Sequence, residues 1–91
     1  MTTKNRKYLA FIGQKDCQVT GTSFDHCIVH HLTLDADRGV SQKPSDYRCI
    51  SLKADIHVLL HHMGEAAFWE EQGINPFSLV VANLEEWIAS I

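Results

Sequence analysis

Ninety-one residues with 45% apolar content are enough for one small core, and a net charge of −3 argues against a simple nucleic-acid-coating protein. No apolar run approaches the roughly 20 residues of a membrane span. The apolar stretch from Tyr8 to Ile12, behind the basic Lys4, Arg6 and Lys7, is too short for a signal-peptide core, so a cytoplasmic protein is expected. Cys17, Cys27 and Cys49 are odd in number and contain no C-x-x-C pair, which argues against a disulfide scaffold or a four-cysteine zinc site. Each is expected to be a small buried apolar residue.

Charge is unevenly distributed. All eight Lys and Arg residues lie at or before Lys53, against five aspartates, which leaves that part at +3. From Ala54 onward there are six acids and no Lys or Arg. The first half is thus suited to meet a polyanion, while the acidic remainder faces away or toward a protein partner. An ordinary solvated surface explains the charge pattern equally well.

In chain order, Thr3 is expected to cap a short helix carrying Tyr8, Leu9, Phe11 and Ile12 on one side, ended by Gly13. Cys17 to Thr20 reads as a short strand, Gly21, Ser23 and Asp25 as a turn, and His26 to Thr33 as a second strand. Leu34 to Asp46 has loop composition, and Tyr47 to Leu52 is a third strand. Asp55 to Met63 has helical periodicity, with Ile56, Leu59, Leu60 and Met63 on one face. A further helix from Glu65 holds Phe68 and Trp69 before Gly73 breaks it. Pro76 starts the last helix, with Phe77, Leu79, Val80, Leu84, Trp87 and Ile88 as its apolar stripe. Both tryptophans are expected in the core. The fold class is α+β, a single domain over 1–91 with a motif core at about 26–63 and a C-terminal helical extension at about 64–91.

Six histidines are several times the share an average protein of this length carries. On a helix, His57 and His61 stand one turn apart and project from one face, where they can chelate a single ion. His62 points away toward solvent, and His26 shares the strand of His30 and His31. A zinc peptidase of H-E-x-x-H type is set aside, because the residue after His57 is Val58 and the general base is missing. Two helical histidines need at least one more ligand. His30 and His31 on the preceding strand can supply one ligand and one base, the two elements that hydrolysis of a phosphodiester needs. Neighbouring strand residues point to opposite faces, which obstructs joint use of this pair unless metal and water lie on different sides of the phosphate or the strand ends there.

At His30-His31 and His57-x-x-x-His61 the sequence resembles the HNH, or ββα-metal, endonucleases, and in particular the all-histidine site of colicin-type bacterial DNases. The wider context is similar to small phage and prophage HNH proteins, including Ref-type nucleases. It is carried by Tyr8 to Ile12, Cys17 to Gly21, His30-His31-Leu32, Lys43 to Asp46, and Leu60-His61 followed by Gly64-Glu65 and Phe68-Trp69. The resemblance covers roughly residues 8 to 75. It implies a small ββα-metal domain with an N-terminal helix and C-terminal helices, in which His30, His57 and His61 bind one divalent metal ion and His31 is the catalytic general base. Imidazole-only ligation favours zinc or nickel over magnesium or manganese in affinity, with zinc the expected bound species. DNA, double- or single-stranded, is the implied partner, and Arg38, Lys43 and Arg48 are candidate phosphate contacts. Lys43 and Asp46 are equally readable as turn residues around Pro44. Two departures stand out. Only Cys17 remains of a first zinc-binding cysteine pair found in many relatives, and Lys53 stands where a later cysteine is usual. The mid-motif asparagine that orients the base is missing, with Asp46, a supporting loop residue, or Arg48 nearest its place. The rival readings are a non-cleaving metal-fold regulator or inhibitor that presents its acidic C-terminal helices to a protein, and a plain interaction module with incidental histidines.

Overall fold

A computed structural model describes residues 4–33 and 45–91 of the chain. The elements are helix α1 (Arg6–Gly13), strand β1 (Cys27–His31), strand β2 (Cys49–Lys53), and helices α2 (Ala54–Met63), α3 (Glu65–Gln72) and α4 (Pro76–Ser90). Short 3₁₀ turns at Phe24–His26 and Asp46–Arg48 lead into the two strands. The architecture is a small α+β fold, a two-stranded antiparallel sheet with helices packed on it. Among the described residues, no helix is long and apolar enough to cross a membrane.

Several expectations need correcting, among them His26, which lies in the 3₁₀ turn before β1 rather than on the strand of His30 and His31. The cap of α1 is Asn5, whose Oδ1 accepts the Tyr8 backbone N–H, while Thr3 lies outside the described residues. Cys17 to Thr20 is a turn rather than a strand. It is closed by the Gly21 N–H on the Cys17 carbonyl at 2.8 Å and by the Thr20 N–H on Cys17 Sγ, and Gln18 ties it to the sheet, its backbone N–H on the Ser51 carbonyl and its Oε1 accepting the Ser51 N–H. Tyr47 belongs to a 3₁₀ turn, where the Ser45 hydroxyl accepts its N–H, so β2 begins at Cys49.

The register pairs His30 with Ile50 and His31 with Cys49. Since strand side chains alternate, Ile28, His30, Ile50 and Leu52 share one face, and Val29, His31, Cys49 and Ser51 the other. Ile50 and Leu52 join Leu60, Phe68 and Trp69 in the larger core cluster, each fully buried aliphatic side chain contributing about 1.5–3 kcal/mol. On the opposite face, Tyr8 and Ile12 of α1 close over Cys49 and Val29, and Trp87 of α4 meets the Tyr8 ring edge-on at 5.4 Å. Trp69 is thus a core residue and Trp87 packs half-buried against the second cluster, whereas Leu59 and Ile88, assigned above to apolar faces, are exposed. Asn83 is fully buried and satisfied. It exchanges two 2.9 Å bonds with the Gln18 amide and ties α4 to the turn before β1.

The second cluster gives the fold an alkaline limit. Burial, with the Asp46 charge adding to it, pushes the Cys49 thiol from its ordinary 9.0 up to about 12, and its Sγ–H donates to the Asp46 carbonyl at 2.8 Å. Burial likewise pushes Tyr8 from 10.0 up to about 12. The native state holds both groups neutral, while the unfolded chain ionises them at their ordinary values. Stability is therefore complete below about pH 9 and declines as pH rises toward about 12. Urea unfolding as a function of pH should show this decline, and Cys49→Ala should flatten its first part. A stability independent of pH in that window would contradict the assignment.

Candidate metal centre

The centre is assembled from two elements. His30, next to last in β1, projects from the face that packs on α2, and His57 and His61 project from α2 one turn apart. His30 Nδ1 lies 3.1 Å from His57 Nε2, which lies 2.9 Å from His61 Nε2. The rings meet edge-on rather than stacked, at interplanar angles of 65–88°. One nitrogen of each ring lies within 4.8 Å of the others, close enough for the three to bind one metal ion. Accessibility is graded: His30 is buried, His57 half-buried and His61 exposed, so the group is anchored in the core and open on one side.

Behind His30 stands a residue that sequence reasoning gave no role. Glu65, the first residue of α3, accepts from His30 Nε2–H at 2.6 Å through Oε1. Its Oε2 accepts from both the backbone N–H and the hydroxyl of Thr33, each at 2.8 Å. Burial would raise the Glu65 carboxyl, but the bonds from His30 and Thr33 overcome it and hold the group down at about 2. The placement depends on Gly64, which joins α2 to α3 at φ +92°, a conformation that side chains other than glycine's disfavour. It closes α2 through its N–H on the Leu60 carbonyl and turns the chain so that the next residue faces β1.

The donor chemistry fits a cation. A carboxylate only accepts, so neutral His30 carries its proton on Nε2 and presents a lone pair at Nδ1 to the cluster. His57 Nε2 faces two nitrogens at once, and one proton cannot serve both contacts. A cation among the three nitrogens satisfies all of them. Burial first, then the neighbouring His30 and His61, lower the His57 pKa and favour the neutral imidazole that ligation requires.

His31, one residue on, is the last residue of β1 and turns to the other face of the sheet. Its Nε2 lies 3.0 Å from Asp46 Oδ1, and its side chain is one-third exposed. His26 and His62 are exposed and apart from the group. Arg48 is half-buried, with its guanidinium 5.2 Å over the Phe77 ring. Arg38 and Lys43, the other two expected phosphate contacts, lie outside the described residues. A surface depression at the far end of the sheet, lined by His26, Ile28 and Lys53 among others, contains none of the three clustered histidines. Comparison with protein families, with curated proteins and with solved structures finds no match to this chain.

Proposed function

We propose that the protein is a metal-dependent endonuclease of the ββα-metal type that hydrolyses phosphodiester bonds in DNA. The observation that carries this reading is the convergence of three imidazole nitrogens, beside a fourth histidine whose ring is held by a carboxylate. His30, His57 and His61 would hold one divalent ion, with zinc favoured by the all-nitrogen donor set. When bound, the ion supplies positive charge against the scissile phosphate and the leaving oxygen. His31 is the base. With its Nε2–H on Asp46, neutral His31 keeps a lone pair at Nδ1 to take a proton from water. β1 ends at His31, which would allow its water and the three ligands to act from different sides of the phosphate.

A second reading has its own support. His30 and His31 project to opposite faces, and the α3–α4 segment carries exposed Glu70, Glu71, Glu85 and Glu86 with no Lys or Arg. Both features suit a non-cleaving metal-binding regulator that docks on a protein. Plasmid and single-stranded DNA incubated with the purified protein and Mg²⁺, Mn²⁺, Zn²⁺ or Ni²⁺ separate the two. Metal-dependent nicking that disappears in His31→Ala is the expected result. Metal binding with no cleavage under any of these ions would leave the regulator.

A further inference from the structure

Resting on the nuclease reading above, we propose that the depression between β1 and the start of α2 is a subsite for one unpaired nucleobase of the DNA strand held at the metal centre. The depression has a volume of about 480 Å³, a size that holds a small organic group. Its position follows from the two elements that build the centre. Ile28 lines it and shares the sheet face of His30, two residues away along β1, a separation of about 7 Å. Ala54 lines it from α2, and at about 100° per residue Ala54, His57, Val58 and His61 fall on one arc of that helix. The groove between β1 and α2 thus leads from the depression to the three clustered nitrogens. Its length matches the reach of one nucleotide from phosphate to base.

The surface of the depression suits the face of a base. Ile28 is 39% exposed on it, Val58 is 67% exposed one turn of α2 beyond Ala54, and Phe24 is 48% exposed in the turn that leads into β1. Scattered singly, such side chains signify little, but three of them beside one depression form an apolar shelf on which a flat ring is desolvated. The rim does not suit a second phosphate. Asp25 and Asp55 stand on it, 3.8 Å from His26 and 3.4 Å from Lys53, so its positive charge is already matched by carboxylates. A phosphate at the metal centre and a neutral ring on the shelf is the arrangement that both regions accept. In a duplex each base face is covered by its stacked neighbours, so only an unpaired base can turn onto the shelf. Stacking of this kind tolerates any base, which gives selectivity for the strand form and little for sequence.

The test uses full-length, zinc-loaded protein carrying His31→Ala, so that binding is read without cleavage. Fluorescence anisotropy compares a short labelled oligonucleotide with its own duplex at one fixed salt concentration, because the phosphate contribution depends on salt. The single strand should bind at least about fivefold tighter than the duplex. Ile28→Ala and Val58→Ala, each added to this protein, should weaken single-strand binding about fivefold, the low end of what one stacked base contributes, and leave duplex binding and zinc affinity unchanged. Ile88→Ala, which removes an exposed apolar side chain from α4, is the control and should change nothing. Retained zinc affinity shows that a variant is folded, and Val58→Ala stands in if Ile28→Ala is not, since its site is exposed and alanine favours a helix. Equal affinity for the two DNA forms, or unchanged single-strand binding in both shelf variants, overturns the subsite. Nicking by the parent protein with Mn²⁺ is measured alongside. Nicking without strand-selective binding keeps the nuclease and overturns the subsite, whereas selective binding that depends on Ile28, with no nicking under any ion, overturns the nuclease and keeps the subsite.

Discussion

His57→Ala binds zinc about a hundredfold or more weakly than the parent protein. The estimate follows from sharing the roughly 10–16 kcal/mol of a four-ligand structural zinc site among its ligands, which gives about 3 kcal/mol for each. His57 is the sharpest choice because its Nε2 is in reach of both other donors, at 3.1 and 2.9 Å, so its loss separates His30 from His61. The side chain is only half-buried, and the core residues of α2, Leu60 above all, are untouched, so the variant keeps its fold. His62→Ala, on the same helix but exposed and outside the group, is the matched control and should bind as the parent does. Competition against a chromophoric chelator reads both. Equal affinities for His57→Ala and the parent would show that the three histidines do not form a site.

The part of this centre that the sequence reveals is the part that local geometry determines. An i, i+4 histidine pair on a helix shares a face whatever surrounds it, and the strand-loop-strand spacing returns His30 to that face. The α4 start is similarly local, since Asn75 caps Phe77 in front of Pro76. Contacts between distant segments were not legible. Asn5 prevails as the cap of α1 because Asp46 and Tyr47, some forty residues on, bind its backbone and side chain. Val19 and Thr20 are good strand formers, yet the segment turns at Gly21, φ +78°, with Cys17 Sγ and the Cys17 carbonyl taking its N–H groups. Leu59 and Ile88 fit a helical stripe by periodicity, but only a narrower arc of each helix meets the core. The pairing of His31 with Asp46 was approached only through the absence of an asparagine. That its partner is a carboxylate held by Asn5 depends on where α1 packs.

Glu65→Ala lowers zinc affinity about 10- to 100-fold, the usual cost of deleting an outer-shell partner of a metal-binding histidine. Without the carboxylate, His30 has no fixed tautomer. A proton on Nδ1 then competes with the metal for the nitrogen that faces the cluster, and the ring is free to swing. The same deletion leaves the His30 Nε2–H, on a side chain only 4% exposed, without its 2.6 Å acceptor, and it releases both donors of Thr33. Losing a buried hydrogen bond to a charged group costs about 1.5–3 kcal/mol, so the metal-free protein should also melt lower. Glu65→Gln should fall between, because its carbonyl can still accept from His30 while its amide N–H₂ confronts the Thr33 N–H. The two effects separate a positioning role from mere packing. If Glu65 only braces α3 against β1, thermal stability falls and the zinc affinity of the folded variant stays at the parent value. If it orients the ligand, the affinity falls at temperatures where both proteins are fully folded, and by less in Glu65→Gln than in Glu65→Ala.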